Sequence, residues 1–413
     1  MHILIITQYF WPENFRINDL ALELRDSGHD VTVLTGIPNY PAGKIFSGYG
    51  FFRRMQQNYN GIRIIRAPLI PRGRGGRLRL FMNYLSFAIS ASVFGPLRCR
   101  GKYDLIFVYE PSPITVGIPA LVLKVIKRVP IMFWVLDLWP ESLSATGAIR
   151  STRILAWVSK LTQLIYRHCD RILVSSPGFV SRIEAQGVKP EKILYFPNWA
   201  EELFLEDESN SIIERNEKLP DGFLIMFAGN IGAAQDFGTI LTAAEQLRNY
   251  EDIHWVILGD GRRYDWMCKQ IQSRELSHVI HMLGHFPLEA MPGFFAKSDV
   301  MLVILRKDPI FSITIPGKVQ SYLAYGKPII AALEGEGARV VEEAGAGISC
   351  PAENPDALAN AVLSIYNTSA SDRNVMAQRG RRYYETTFER KLLLTRLESW
   401  IHELVLVSDS GSL

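Results

Sequence analysis

The sequence predicts an α/β protein built from two doubly wound domains facing a central cleft, with a C-terminal helix crossing back to the first. Three observations carry that prediction. Strand and helix patterns alternate through residues 1–200, and a second series starts near residue 224. Several strands are unbroken apolar runs rather than alternating ones, as parallel strands covered on both faces require. Between the two series, residues 200–222 are polar, acidic and weakly periodic, which marks a linker.

In the first series, residues 3–7 (ILIIT) read as a strand, 14–27 as a helix stopped by Gly28, and 31–35 as a second strand. Further strands fall at 61–67, 104–109, 131–136, 171–175 and 193–196, with helices at 115–127, 154–168 and 178–186. In the second series the strands are 224–228, 254–258, 279–282, 300–305, 328–333 and 347–350. Its helices cover 237–249, a stretch ending at 274, a short piece through 296, 319–325 and a segment from 355. Such alternation argues for a Rossmann-like sheet in each half. The domains are accordingly residues 1–200, 201–385, and a closing helix within 386–413 whose apolar stripe suits packing on the first domain.

Composition narrows the class. With 48% hydrophobic and 21% charged residues the chain is globular, neither disordered nor fibrous. No basic stretch precedes the apolar residues 3–6, so they read as a buried strand and not as a signal peptide. Cys99, Cys169, Cys268 and Cys350 are too far apart for a C-x-x-C pair and read as reduced thiols, with no metal site. The net charge of +3 conceals a local excess. Between Lys44 and Lys102 lie twelve basic and no acidic residues. Such a patch suits an anionic partner: a phosphorylated substrate or an anionic lipid surface. No nucleic-acid-binding motif accompanies it.

Inside that basic region, residues 80–97 (LFMNYLSFAISASVFGPL) carry no charge. Asn83, the serines and the Gly-Pro pair argue against a membrane span, as does a length short of about 20 residues. A buried crossover helix and a helix touching the membrane interface, with nearby arginines on anionic headgroups, both fit.

The strand ends hold the chemistry. No G-x-G-x-x-G follows the first strand, which runs into QYFWPEN, and no P-loop is present, so hydride transfer and P-loop phosphoryl chemistry are disfavoured. Strand 224–228 runs into Gly229-Asn230-Ile231-Gly232-Ala233-Ala234-Gln235-Asp236, a glycine turn before a helix. Its amides and the helix start suit a diphosphate, although a plain tight turn reads the same alone. Pro316-Gly317-Lys318 opens another helix and places a cation beside free backbone donors. Asp137 ends an apolar strand at the carboxyl edge of the sheet, where open α/β folds bind ligands. It can orient a ligand, take a proton from one, or merely cap a helix. Glu110 and Glu13 are secondary candidates, each equally readable as a cap or an ion-pair partner.

Taken in order, Gly229-Asn230…Gln235, LGDG at 258–261, Gly284-His285-Phe286, Met291-Pro292, Pro316-Gly317-Lys318 and the 322–328 run YLAYGKP resemble the donor half of the retaining family-four glycosyltransferases of GT-B fold. The runs QYFWPEN at 8–14 and LDLWPES at 136–142 resemble the acceptor half of their bacterial O-antigen, capsule and colanic-acid branch, which includes L-fucosamine transferases. The resemblance implies transfer from a UDP-sugar with retention and no metal or other cofactor. It implies Asn230, Gly232, Gln235 and Lys318 around the diphosphate, with Ile315, Pro316 and Gly317 offering backbone donors. Gly259, Asp260 and Gly261, with His285 and Phe286, would line the nucleoside pocket. Asn230 and Gln235 stand where the family usually has Arg and Lys, which leaves more of the phosphate to Lys318 and Arg262. Ser321 stands at the usual ribose-binding Glu.

Leu136 replaces the histidine of the family's His-Asp pair. A leucine there packs a methyl group, as on a 6-deoxy sugar such as N-acetyl-L-fucosamine, but it also simply ends a buried strand. With Glu13 and Asn14 it marks the acceptor or donor-sugar side. The implied acceptor is a lipid-diphosphate-linked saccharide, met by a cytoplasmic protein held at the inner membrane by its basic first half. A UDP-sugar epimerase of the same fold, or a nucleotide-sugar-binding protein without catalysis, are the competing readings.

Overall fold

In the computed structural model the chain is described at all residues except 74–75, 146, 148, 150, 206–218 and 410–413. Most of the predicted linker lies outside the described residues, as does Arg74 of the basic cluster. The chain divides into two compact units, Met1–Phe196 with Leu393–Leu413, and Pro197–Leu392.

The first unit holds β1 (His2–Ile6), β2 (Asp30–Gly36), β3 (Gln56–Tyr59), β4 (Ile62–Ala67), β5 (Leu105–Glu110), β6 (Ile131–Val135), β7 (Arg171–Val174) and β8 (Ile193–Tyr195). They form one sheet in the order β3-β4-β2-β1-β5-β6-β7-β8. All neighbours are parallel except β3 and β4. The central strands are buried along their length, in keeping with their unbroken apolar sequences. From β1 the chain works outward to one edge, then returns to β5 on the other side of β1. Loops leaving β1 and β5 therefore part in opposite directions and leave a crevice at the carboxyl edge.

The helix Arg77–Arg98 is the crossover from β4 to β5, and it packs on β2, β4 and the helix Gly117–Lys127. It also has the length and hydropathy of a membrane span, with a mean hydropathy of 1.4 over its most apolar window, of which 28% is buried. Phe87, Ala88 and Ala91 face the core, while Leu78, Phe81, Ile89, Val93 and Leu97 are exposed. Asn83 is the polar staple of this helix. Fully buried, it accepts from Gln8 Nε2 at 2.7 Å and donates to the Ile70 carbonyl at 2.6 Å. Leaving such an amide without partners would cost about 1–3 kcal/mol. Asn83 thus belongs to the core.

The C-terminal helix Arg390–Asp409 returns to the first unit, as its sequence predicts, burying Leu393, Leu397, Ile401 and Leu404 at helical spacing. Glu398 meets the buried His29 at 2.6 Å, Glu403 meets Arg171 at 3.4 Å, and the Trp400 ring lies edge-on to Phe196.

The second unit holds β9 (Phe223–Ala228), β10 (Ile253–Leu258), β11 (Ile280–Gly284), β12 (Val300–Ile304), β13 (Ile329–Ala332) and β14 (Gly347–Cys350). Their order is β11-β10-β9-β12-β13-β14, all parallel. Here the reversal falls between β9 and β12, so the second crevice opens where the Gly229 turn leaves the sheet.

Candidate active site

In the second unit, three strand ends are stitched together by backbone. The Gly229 amide donates to the Leu258 carbonyl at 2.9 Å, the Gly259 amide to Gly284 at 2.7 Å, and the Ile231 amide to Asp260 at 2.9 Å. This approach requires glycine. Gly229 and Gly259 have φ of +137° and +139°, and a Cβ on Gly259 would stand 1.9 Å from the Gly229 carbonyl oxygen.

Lys318 lies across this turn. Its Nζ sits 3.4 Å above the centroid of the Phe227 ring, and a Cβ on Gly229 would come within 2.5 Å of its Cε. No carboxylate among the described residues pairs with it, and burial pushes its pKa down to about 7. It opens the helix Gly317–Tyr325, whose N-cap, Pro316, offers no side-chain acceptor. The unpaired cation faces the glycine turn and starts a helix with no side-chain cap, a combination suited to a phosphate.

The remaining donor-side candidates separate into two groups. Gln235 Oε1 accepts from the Gly232 amide at 3.1 Å, and Asn230 stands against both Gly232 and Gly261, so these four gather at the turn. Asp260 instead turns back on its own loop, accepting from the Gly261 amide at 2.6 Å. Ser321 bonds back to the Gly317 carbonyl at 3.2 Å, and Ile315 is buried. Arg262 and His285 are exposed, and Phe286 packs against Phe294 at 4.7 Å. The sequence reading missed Tyr322, whose hydroxyl bridges the Ala228 amide and carbonyl and so fixes the helix to the end of β9. It also missed Gln320, buried with Oε1 unpartnered beside Gly317. A glutamine among the buried positions of that helix was the available signal.

In the first unit, carboxyl groups dominate. Asp137 accepts from Ser142 Oγ and, at 3.1 Å, from Trp139 Nε1, with Ser112 alongside. Burial still raises its pKa. Ser112 holds φ at +131°, a strain of roughly 1–3 kcal/mol for a residue other than glycine, of the kind that collects at functional sites. Glu110, at the end of β5, is fully buried, with the backbone amides of Asp137 and Leu136 close to its carboxyl. Desolvation and the nearby Asp137 both raise its pKa, well above the usual range. Burial raises both carboxyls, and Asp137 has the larger set of side-chain donors, Ser142, Trp139 and Ser112, working against that rise.

Glu13 serves the scaffold. It is buried, and its Oε1 accepts the amides of Asn39 and Tyr40, both at 2.7 Å, fixing the loop after β2. Desolvation raises its pKa to about 7. Asn14 is exposed, while Leu136 is half-buried with its amide on the Glu110 carbonyl at 3.1 Å. Tyr84, absent from the sequence candidates, lies with its hydroxyl between Tyr9 and Ser112, within the field of Arg72 and Asp137. The Arg72 guanidinium stands 5.8 Å from the Tyr9 ring and 5.1 Å from that of Tyr40.

Comparison with known proteins fits both halves. Residues 14–199 match the family described as glycosyl transferase 4-like domain, and residues 208–383 match glycosyl transferases group 1. Over 258 residues the chain is 27% identical to the probable glycosyltransferase WbjE of Pseudomonas aeruginosa, spanning 59% of this chain and 64% of that protein, just under two thirds of its length. It is 24% identical over 347 residues to the putative colanic acid biosynthesis glycosyl transferase WcaI of Escherichia coli K12, spanning 79% and 82%. Among solved structures, Anabaena HepE in complex with UDP and glucose shares the fold with a TM-score of 0.69 at 15% identity, over 97% of this chain and 99% of that one. With one family match on each parallel-sheet unit, the protein has the GT-B fold, its first half similar to the 4-like and its second to the group 1 glycosyltransferases.

Proposed function

We propose that the protein transfers a sugar from a UDP-sugar to a lipid-diphosphate-linked saccharide, with retention at the anomeric carbon and without a metal, in the assembly of a surface polysaccharide. The observation that carries this reading is Lys318, a cation without a carboxylate partner, set over a glycine turn at an uncapped helix start. As the bond from the anomeric carbon to the diphosphate breaks, its electron pair goes to the leaving phosphate oxygen. Lys318 and the first amides of the helix Gly317–Tyr325 stabilise that charge, which is commonly the largest catalytic contribution. The acceptor hydroxyl attacks the same face of the sugar. Asp137, whose pKa is raised, is suited to take the hydroxyl proton. Support for the donor comes from HepE, solved with UDP and glucose, and for the pathway from WcaI, named for colanic acid biosynthesis.

The proposed donor sugar is a 6-deoxy or amino hexose such as N-acetyl-L-fucosamine, with Leu136 packing its methyl group, worth about 0.8 kcal/mol. An unchanged 6-deoxy preference in Leu136→His would end that assignment. The protein works on the cytoplasmic face of the inner membrane, held there by the basic segment and the exposed apolar side chains of the helix Arg77–Arg98. UDP release from a panel of UDP-sugars, with and without bacterial membrane lipid, tests the whole reading. Acceptor-dependent release from one donor is the expected result. Conversion of the sugar without release of UDP would point to an epimerase, and binding without turnover to a non-catalytic protein.

A further inference from the structure

At the amino edge of the first sheet, His29 joins the helix Arg16–Asp26 to β2. Gly28 turns the chain there at a φ of +88°, and the His29 amide donates to the Leu24 carbonyl at 3.1 Å, so the backbone carrying this buried imidazole is fixed. The C-terminal helix Arg390–Asp409 packs against it and presents Glu398 and His402 one turn apart. Each follows a buried apolar residue, Leu397 and Ile401, whose packing sets the rotation of the helix. His29 Nε2 meets Glu398 Oε1 at 2.6 Å, and His402 Nε2 lies 3.7 Å from the same oxygen. Two imidazole nitrogens from opposite ends of the sequence thus converge on one carboxylate.

The three atoms that can ligate an ion all lie within 4.8 Å of one another. Bonds to a tetrahedral zinc set neighbouring ligand atoms about 3.3 Å apart, and the separations of 2.6 and 3.7 Å bracket that value. The exposed His402 side chain can close the remainder by rotating. His29 Nδ1 is turned the other way, 3.3 Å from the Met1 nitrogen, so Nε2 is the atom aimed at the cluster. An ion pair accounts for His29 and Glu398 alone. It gives no role to His402, whose nitrogen stands beyond hydrogen-bond reach of the carboxylate. Among the described residues the ion-pair partners of Glu398 are these two histidines, so neither lysine nor arginine takes the place of a cation.

We propose that His29, Glu398 and His402 bind a zinc ion that ties the last helix to the first sheet. Two imidazoles and a carboxylate suit zinc, whereas magnesium and calcium take all-oxygen ligand sets. Three protein ligands leave the fourth position to water, so the ion is exchangeable, unlike one in a closed four-ligand site. It takes no part in sugar transfer: Glu110 and Asp137 lie at the carboxyl edge of the sheet, beyond β5 and β6, and His29 lies at the opposite edge. Its effect is on stability, because it links residue 29 to residues 398 and 402 in the folded chain. The inference is independent of the transferase reading.

The test strips the full chain of metal with a chelator, dialyses it, and titrates it with zinc chloride by calorimetry. One zinc ion per chain should bind, and saturation should raise Tm. Magnesium chloride should do neither. His402→Ala should weaken zinc by on the order of tenfold or more and abolish the rise in Tm. The metal-free Tm of that variant should match the unaltered protein, because the side chain is exposed. Cobalt in place of zinc should give the visible absorption of a tetrahedral site, absent from His402→Ala. His254 and His281, 3.2 Å apart in the second unit, are the competing pair, and His281→Ala should keep full zinc affinity. Zinc affinity unchanged in His402→Ala, or lost in His281→Ala, would overturn the proposal, as would saturation without a rise in Tm. Zinc-dependent UDP release that persists in His402→Ala would place the ion elsewhere and overturn it too.

Discussion

Gathered at the Gly229 turn of the second sheet are backbone amides, the carboxamides of Asn230 and Gln235, and Lys318. At the carboxyl edge of the first stand carboxyls, hydroxyls and aromatic rings, with Arg72 beside them. The second unit's site is short-range: Gly229, Gly232, Gly259 and Gly317 all sit in turns that leave strands or open a helix. The first unit's site is long-range, since Tyr84 reaches both Tyr9 and Ser112, and scaffold pairs such as Gln8–Asn83 and Glu13–Asn39 hold its loops. A diphosphate is the same in every nucleotide sugar, and backbone donors suffice to bind it. An acceptor differs from one enzyme to the next, and side chains drawn from scattered segments can differ with it.

The sharpest way to break this comparison is Lys318→Met, which keeps the stem and deletes the only buried cation assigned to the donor turn. UDP release should fall on the order of 10²–10³-fold, as for loss of one preorganised charge-stabilising group. Asp137→Asn should cost on the order of 10²-fold in turnover, in the range for loss of a general base. Glu110→Gln should leave turnover within a few-fold, because desolvation already favours the neutral form of the carboxyl it replaces. A large loss in Glu110→Gln would reassign the base.

Gly229→Ala should lower stability by about 1–3 kcal/mol through strain at positive φ, visible as a drop in Tm, and should displace Lys318 as well. The next effect is one of pH. Lys318 titrates near 7 when free, and a bound diphosphate raises that value. UDP affinity should therefore be full below pH 7 and weaken by up to about tenfold per unit above it, with proton uptake on binding seen by calorimetry in two buffers. The smallest effect belongs to Glu13→Gln. The folded protein holds the Glu13 proton up to about 7 against a usual value of 4.5, so the stability of the unaltered protein declines as pH rises across that window. The glutamine variant should lack that decline in urea unfolding.

The same contrast explains what the sequence disclosed. Most strands were legible because an unbroken apolar run has few other uses, and the carboxylates Asp137 and Glu110 were legible because they end such runs. The strand Gln56–Tyr59 was not, since QQNY has no apolar pattern and exists by pairing antiparallel to β4 at the edge. The helix Glu336–Glu343 was missed because its eight residues bury only Gly337, Val340 and Val341. On the donor side, loop motifs identified the turn, though not that Tyr322 fixes it. On the acceptor side, Tyr84 and Arg66 were invisible as partners. Arg66 is fully buried, and its guanidinium donates to the carbonyls of Gly36 at 3.2 Å and Trp11 at 2.7 Å. No local spacing announces such contacts.

The return of the C-terminal helix sets an order of assembly. The first unit is made of two pieces, Met1–Phe196 and Leu393–Leu413, with the whole of the second unit between them in sequence. On the ribosome, the second unit has all its strands before the helix that carries Leu397, Trp400 and Ile401 has been synthesised. Until then the surface around His29, Arg171 and Phe196 waits uncovered. The half that begins first is therefore completed last.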